Sequence, residues 1–312
     1  MTTDSTVRDE ADVAIIGGGP AGLNAALMLG RGRKRVLLYD SGPPRNAAAV
    51  HVHGLLTRDG TPPSELRRIG REQLAPYDVA FRGARVQSLV KLEDGRFRIE
   101  SDDGSSAIVR KVLLATGMVD VPPALPGYRA LWGHAIFQCP YCHGWEHRGQ
   151  RWGLLATGPM HLDFALLLKG WTDDLVVFVD AALEVPEDRA RQLERAGVVL
   201  ERRVVTALRQ APDGEPARPR LEAVELADGT LVPRDVLFAH PPQRQVELVV
   251  KLGLALNEGG FVQAGPMGET SIPGIHAAGD LTSHLQGAVF AASMGAAAGA
   301  GINHALNVHA AS

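Results

Sequence analysis

The 312-residue chain has few of the features that mark several protein classes. Only two cysteines are present, which excludes a scaffold held together by disulfides. Its 32 basic and 35 acidic residues leave a formal charge of -3, so no broad positive field attracts nucleic acid or an anionic membrane. The most apolar tract, Ala288 to Ile302, is mostly Ala and Gly and is shorter than the ~20 residues that span a bilayer. It predicts a tightly packed helix.

The N-terminal residues, Met1 to Asp12, lack the basic end, the apolar stretch and the small-residue cleavage site of a secretory signal. We therefore expect a cytoplasmic protein with a loose N-terminal tail, and neither nucleic acid nor a membrane as a partner. With 45% hydrophobic residues the chain has enough apolar surface for a large core. Its length predicts two globular domains.

The first segment has the pattern of a nucleotide-binding unit. It reads as a strand, a Gly-rich turn, a helix and a second strand: Asp12 to Ile16, Gly17-Gly18-Gly19-Pro20-Ala21-Gly22, Leu23 to Leu29, and Arg35 to Tyr39. Gly17 permits the tight turn, Gly19 lets the backbone approach a pyrophosphate, and Gly22 lets the helix pack on the strand.

The helix N-terminus, at Pro20 and Ala21, then faces the phosphate charge. Asp40, at the end of the second strand, is expected to accept hydrogen bonds from an adenosine ribose. The alternative is a structural turn followed by a chance Asp.

A similar pattern recurs later in the chain. It follows the Pro-rich breaker Val121 to Gly127 and precedes a second breaker, His240-Pro241-Pro242. Its parts are a strand Trp152 to Leu155, a turn Ala156 to His161, an apolar helix to Lys169, and strands Leu175 to Val179 and Val236 to Ala239. Extended segments with hairpin turn signals accompany both patterns, at Asp94-Gly95 and Asp103-Gly104, and at Asp213-Gly214 and Asp228-Gly229.

These patterns predict an α/β fold of two Rossmann-like, three-layer nucleotide-binding domains, the second inserted in the first. The first domain comprises residues 1–121 and 243–312. The inserted domain comprises residues 122–242.

Two later motifs favour flavin at the first site. Ala115-Thr116-Gly117 and Ala278-Gly279-Asp280 resemble the motifs that complete the flavin site in two-dinucleotide flavoproteins, and a helix start follows at Gln286-Gly287-Ala288. The resemblance implies that Asp280 bonds the ribityl chain and that the helix at Gly287 and Ala288 faces the flavin pyrimidine. A helix N-terminus there stabilises negative charge on reduced flavin. The alternative is that both motifs are ordinary turns at strand ends.

The loop after the second strand supplies three more expected flavin contacts, Arg45, Asn46 and His53. His53 lies where the loop of such flavoproteins passes the cofactor. A solvated loop histidine is the alternative for His53.

Both cysteines lie in Cys139-Pro140-Tyr141-Cys142-His143-Gly144-Trp145-Glu146. Haem attachment to Cys-x-x-Cys-His takes place outside the cytosol and needs an export signal. A closed zinc site needs four ligands, and there is no second cysteine pair, so we assign no metal. A redox dithiol, whose two thiols close a small disulfide, is the favoured interpretation.

The order of these motifs resembles the low-molecular-weight thioredoxin reductases over nearly the whole chain. That resemblance implies that Cys142 exchanges electrons with FAD and that Cys139 attacks or releases the substrate. Reductases of this family have Asp after the second cysteine, whereas this chain has His143. With an ordinary pKa near ~6.5, His143 is a candidate base for thiol deprotonation, and a packing residue is the alternative.

The second Gly-rich turn departs from the reductases. In Ala156-Thr157-Gly158-Pro159-Met160-His161 only the middle Gly of the motif remains, and His161 brings a bulky ring to its last position. The following strand ends at Asp180 with no arginine pair, and a carboxylate repels a 2′-phosphate. NAD(P)H is therefore doubtful as a cofactor, while FAD is expected.

The Cys-Pro-Tyr-Cys-His-Gly-Trp-Glu stretch beside an eroded nicotinamide site resembles the dithiol oxidases of the gliotoxin and holomycin type. The resemblance implies an FAD-dependent enzyme that forms a disulfide in a small dithiol and passes electrons to oxygen. One alternative is a thioredoxin reductase-like disulfide reductase that uses NAD(P)H or a protein electron donor. A non-catalytic flavin redox sensor is the alternative of another class. Family resemblance also implies a homodimer, and a thioredoxin-like protein as a further candidate partner.

Overall fold

The computed structural model describes residues 8–212 and 218–308. The turn expected at Asp213-Gly214 and residues 1–7 of the expected tail lie outside the described residues. The chain forms two compact units. Unit 1 takes in the described residues of Met1–Ala47, Gly54–Val119 and Gln243–Ser312, and unit 2 those of Ala48–His53 and Asp120–Pro242. The domain division at residues 121 and 242 stays a prediction.

Unit 1 is built on one large sheet. Its strands are β1 (Arg8–Ile16), β2 (Val36–Tyr39), β3 (Val79–Arg82), β4 (Val86–Lys91), β5 (Phe97–Ser101), β6 (Ser106–Leu114) and β17 (Ile275–Ala277). Its helices are α1 (Pro20–Arg31), α2 (Pro63–Leu74), α7 (Glu247–Leu252) and α8 (Ala288–Val308), with a 3-10 turn at Asp280–Thr282. Two short strands, β7 (Val119–Asp120) and β16 (Gln243–Arg244), lie where the chain passes from one unit to the other.

The sheet order in unit 1 is β3-β2-β1-β6-β5-β4, and β17 also pairs with β6. Strands β1, β2, β3, β6 and β17 run parallel, whereas β4 and β5 join as an antiparallel hairpin. Ile16 lies opposite both Tyr39 and Leu114, so three strands end at one edge. That edge carries the first Gly-rich turn, as in open α/β sheets that bind ligands at the carboxyl ends of their strands.

The Ala- and Gly-rich tract forms α8, and its glycines allow close packing on α1. A Cβ atom at Gly295 would lie 2.0 Å from the carbonyl oxygen of Ala21, and one at Gly299 would lie 2.9 Å from that of Ala25. The predicted packed helix is confirmed. Within the described residues no helix has both the length and the apolar character that crossing a bilayer requires.

Unit 2 has a parallel five-stranded sheet and a small antiparallel sheet. Its strands are β8 (Ile136–Phe137), β9 (Trp152–Ala156), β10 (Leu175–Val179), β11 (Val198–Glu201), β12 (Val205–Gln210), β13 (Leu221–Leu226), β14 (Leu231–Pro233) and β15 (Val236–Phe238). Its helices are α3 (Tyr128–Leu131), α4 (Pro140–His143), α5 (Met160–Leu168) and α6 (Glu187–Arg195).

The parallel sheet of unit 2 has the order β11-β10-β9-β15-β8, and the antiparallel sheet has the order β12-β13-β14. β1 in unit 1 and β9 in unit 2 each lead into a Gly-containing turn, lie inside their sheets and pair on one side with the next parallel strand, β2 and β10. The predicted α/β class with two Rossmann-like sheets is confirmed.

The predicted element bounds needed three corrections. Strand β1 begins at Arg8 rather than Asp12, and α1 begins at Pro20 rather than Leu23, because Pro fits the first turn of a helix. Helix α5 begins at Met160, so His161 lies in its first turn and not in the preceding loop.

Candidate active site

The first Gly-rich turn in unit 1 is shaped by close backbone contacts. A Cβ atom at Gly17 would lie 2.1 Å from the carbonyl oxygen of Ala115, and one at Gly22 would lie 1.9 Å from that of Gly17. A Cβ atom at Gly19, by contrast, would meet nothing within 4 Å. The turn is thus packed on its inner side, and the backbone at Gly19 faces open space.

The start of helix α1 is suited to an anion. Gly19 is its N-cap residue and provides no side-chain hydrogen bond, and Pro20 occupies the first turn. The partial positive charge of the backbone N–H groups at the start of this 12-residue helix is therefore not neutralised by a capping side chain. The residues present fit the pyrophosphate of a dinucleotide.

The carboxylate of Asp40 lies beside this turn, where a Cβ atom at Gly18 would be 2.5 Å from its Oδ2. Arg67 and Arg71, one turn apart on α2, both donate to Oδ2, and the backbone N–H of Gly42 donates to Oδ1 at 3.2 Å. The two arginines fix the orientation of the carboxylate. Sequence reasoning missed them, although their spacing of four on a helix places them on one face. The role of Asp40 toward a ribose stays a prediction.

The two later motifs of unit 1 reach the same region. Gly117 has φ +65°, and Gly279 has φ +91° with its Cβ position 3.0 Å from the Cβ of Ala21. Arg45 donates to Asp280 Oδ2 at 3.0 Å and to the side-chain oxygen of Gln286 at 2.6 Å. The loop after β2 is thereby tied to the start of α8.

Other predicted cofactor contacts in unit 1 lie near these groups along the chain. Thr116 is half-buried after β6, Asn46 is exposed next to Arg45, and Gly287 precedes Ala288, the first residue of α8. Their contacts with a flavin stay predictions.

In unit 2 the cysteine motif forms a short helix. Cys139 is the N-cap residue of α4, Pro140 occupies its first turn, and the backbone N–H of Cys142 donates to the carbonyl oxygen of Cys139 at 3.2 Å. Both cysteines are half-buried and in the thiol form. Next to them Tyr141 and Trp145 are 70% and 66% exposed, so the dithiol lies at an accessible surface of its unit.

The pKa of the Cys139 thiol is lowered by its own helix turn. A hydrogen bond from the Cys142 thiol lowers the pKa of Cys139, and the backbone N–H groups of Cys142 and Tyr141 lower it further against the opposing effect of burial. The lowered pKa makes the thiolate of Cys139 more accessible than that of an ordinary cysteine. This is consistent with the exchange role that the resemblance implies for it.

The ring of His143 stacks on Phe137, with centroids 4.2 Å apart and planes 12° apart. Both of its nitrogens are buried and have no hydrogen-bond partner among the described residues. Burial lowers its pKa to about 4, and the nearby His147 and His53 lower it as well. The ordinary pKa expected from the sequence is thus wrong. His143 stays neutral at neutral pH and is available to accept a proton, but it binds that proton weakly.

His53 lies in unit 2, where its Nε2 is 3.6 Å from Oε1 of Glu146. His53, Glu146 and His143 line one cavity of about 660 Å³, together with His147. The role of His53 as a flavin contact stays a prediction. Sequence reasoning had no spacing argument for His147, because its approach to Phe137, at 5.1 Å between ring centroids, depends on tertiary packing. Among the described residues no group of three or more His, Cys, Asp or Glu side chains is arranged to hold a metal ion.

The second turn is closed by its own histidine. His161 is 3% exposed, and its Nδ1 lies 3.3 Å from the backbone N of Thr157, 3.1 Å from that of Gly158 and 3.2 Å from the carbonyl oxygen of Gly158. In the tautomer with its proton on Nε2, Nδ1 accepts hydrogen bonds from both backbone N–H groups. Burial lowers the pKa of His161, which favours the neutral ring that accepts these bonds. The amides of this turn thus already have an acceptor. Asp180, at the end of β10, accepts from the backbone N–H of Ala182.

Comparisons with known proteins agree with this arrangement. Residues 11–295 match the model of the family described as pyridine nucleotide-disulphide oxidoreductase. Thioredoxin reductase sirT of Leptosphaeria maculans is 35% identical over 94% of this chain and 93% of its own length. Thioredoxin reductase tcpT of Claviceps purpurea is 33% identical over 93% of this chain and 92% of its own.

Solved structures give the same result. HlmI superposes with a TM-score of 0.88 at 37% identity and covers 100% of this chain and 96% of its own. An oxidoreductase from Agrobacterium tumefaciens superposes with a TM-score of 0.87 at 35% identity, over 96% and 99% of the two chains. The predictions of an enzyme and of FAD as its cofactor are confirmed by the family. The chain belongs to the pyridine nucleotide-disulphide oxidoreductases and, within them, to the thioredoxin reductase-like flavoproteins.

Proposed function

We propose that this enzyme is an FAD-dependent dithiol oxidase, which forms a disulfide in a small substrate with oxygen as electron acceptor. The observation that carries the proposal is the second turn. There the Nδ1 atom of His161 accepts from the two backbone N–H groups that a dinucleotide pyrophosphate would require. An enzyme of this family whose nicotinamide site is closed receives its electrons from a thiol or from a protein donor, and the cysteine pair provides the route for a thiol.

Thiol–disulfide exchange at the cysteine pair accounts for the substrate half of the reaction. In the oxidised enzyme a substrate thiolate attacks the sulfur of Cys139 in the Cys139–Cys142 disulfide, and Cys142 leaves as a thiolate. The second substrate thiolate then attacks the substrate sulfur of this mixed disulfide, and Cys139 leaves. The substrate departs as a disulfide, two electrons stay on the cysteine pair, and two protons are released.

The protein's own groups assist these steps. The hydrogen bonds that lower the pKa of Cys139 make it a good leaving group. Neutral His143, directly after Cys142, accepts a proton from a thiol.

In unit 1 the turn Gly17–Gly22, Asp40 and the start of α8 would hold FAD. When bound, FAD would supply a two-electron acceptor for the dithiol and a route for those electrons to oxygen.

A thioredoxin reductase-like function is the second candidate, because sirT and tcpT are both named thioredoxin reductases. It requires NAD(P)H or a protein electron donor. A redox sensor of the same fold would show negligible turnover with every dithiol and donor.

Oxygen consumption with a small dithiol such as dithiothreitol tests the proposal. We expect catalytic uptake of oxygen with formation of peroxide, and loss of that activity in both Cys139→Ser and Cys142→Ser. Cys139→Ser should also gain a long-wavelength absorbance band from a Cys142 thiolate beside oxidised flavin, and Cys142→Ser should not. No oxygen uptake by the yellow protein would refute the oxidase, and a band in the other variant would reverse the two cysteine roles.

A further inference from the structure

The cavity next to His143 lies entirely within unit 2 and has a size suited to a small molecule. Its volume is about 660 Å³, within the ~300–1,000 Å³ of typical ligand pockets. The Phe137 ring and the imidazoles of His143 and His147 form one part of its lining. Both nitrogens of His143 are buried, so this aromatic part of the lining lies at the inner end of the cavity.

Charged side chains form another part of the lining. Arg218 and Arg220, in the segment before β13, line the cavity and are both exposed, so they lie where it meets solvent. Among the described residues, Glu146 provides the one carboxylate of the lining, and its Oε1 faces His53 Nε2 at 3.6 Å. Apart from the imidazoles, the described residues of the lining carry charge on two arginines and one glutamate, which leaves a net positive lining.

We propose that this cavity binds the substrate of the oxidase proposed above and selects a small dithiol that carries a carboxylate. The proposal rests on that function. The imidazoles near the cysteine helix would meet the thiol end of the molecule, while Arg218 and Arg220 would meet its anionic end. Guanidinium groups suit this task because their planar donors match the two oxygens of a carboxylate.

The test compares two dithiols that differ only at one end, dihydrolipoate with a carboxylate and dihydrolipoamide with a neutral amide. The readout is the second-order rate constant for anaerobic bleaching of the flavin. We expect dihydrolipoate to react about fivefold to tenfold faster, as charge-assisted hydrogen bonds at a solvent-exposed site would give. The preference should shrink as salt is raised, because the arginines are exposed.

Substitutions in the cavity lining test whether its charged side chains cause the preference for dihydrolipoate. Arg218→Gln combined with Arg220→Gln should bring the ratio of the two rate constants to about one, and Glu146→Gln should raise it. Arg202→Gln is the matched control, because Arg202 is an exposed arginine of unit 2 that does not line the cavity.

The outcomes separate the two proposals. Equal rates for the two dithiols in the unmodified protein, or a preference that survives the double arginine variant with its FAD retained, would overturn the anion site while leaving the oxidase intact. Failure of both dithiols and of dithiothreitol to bleach the flavin would overturn the oxidase itself.

Discussion

The two Gly-containing turns follow equivalent strands in similar sheets, but the first leaves backbone facing open space and the second is filled by a side chain of its own. In unit 1 Gly17 and Gly22 allow contacts so close that a Cβ atom has no room, and the backbone at Gly19 is left facing open space. In unit 2 the positions of Gly17 and Gly22 are taken by Ala156 and His161. The imidazole of His161 accepts from the amides of its own turn.

The comparison shows that a fold can retain a nucleotide-binding shape while its polar groups are satisfied internally. Backbone N–H groups that already have a buried acceptor offer little to a phosphate, because binding would have to break those hydrogen bonds first. We propose that unit 1 holds the cofactor, whereas unit 2 contributes the redox dithiol. Substitutions in one turn, with the equivalent position of the other turn as the control, test this difference.

The largest effect is expected at Gly22. A methyl group there would be 1.9 Å from the carbonyl oxygen of Gly17, so Gly22→Ala should abolish FAD binding. His161→Ala, the equivalent position in unit 2, should retain one FAD per chain. Flavin absorbance after gel filtration measures both, and circular dichroism reports folding.

A second pair of variants, with a milder substitution, is needed in case Gly22→Ala fails to fold. Gly19→Ala meets no protein atom within 4 Å and should fold normally, yet its methyl group points where the pyrophosphate would lie. We expect a loss of FAD affinity of about tenfold or more, against none for Gly158→Ala. An unchanged FAD affinity in Gly19→Ala would remove the first turn from the cofactor site.

The second effect concerns His143, the proposed base of unit 2. His143→Ala should slow anaerobic bleaching of the flavin by a dithiol by ~10²–10⁴, the range for loss of a general base, with FAD content unchanged. The pKa of His143 is about 4, so its contribution should be constant at neutral pH and decline as the pH falls through about 4, where the ring becomes protonated. Stopped-flow rates across pH measure both effects, and an equal rate in the variant would make His143 a packing residue.

Part of the difference between the two turns could be predicted from the sequence. Strand, turn and helix follow from hydrophobic spacing and glycine placement, which are local, so the strand, turn, helix and strand pattern was correct in both units. Elements such as α2, β3, α6 and β11 were not predicted. His161 was expected only to crowd the turn. Its role as an acceptor for the turn's amides depends on a ring orientation that sequence alone does not give. The Arg67 and Arg71 pairs with Asp40 were missed because α2 meets the end of β2 only after folding.

The smallest effect is a gain of function in unit 2. Ala156→Gly combined with His161→Ala restores the small residues of the motif and frees the amides of Thr157 and Gly158 from the imidazole. We expect reduction of the flavin by NADH to rise about tenfold above the unmodified protein. NADPH should remain ineffective, because Asp180 repels a 2′-phosphate. A double variant no faster than the parent would show that closure of the turn is not what limits nucleotide binding.

An anaerobic titration of the oxidised flavoprotein tests the central claim most directly. NADPH and then NADH are added first, and a small dithiol follows, while flavin absorbance is recorded. We predict slow bleaching or none with either nucleotide, rapid bleaching with the dithiol, and return of the yellow colour with peroxide when oxygen is readmitted. Rapid bleaching by NADPH at micromolar concentration would contradict the account and make reduction of a disulfide substrate the function of this enzyme.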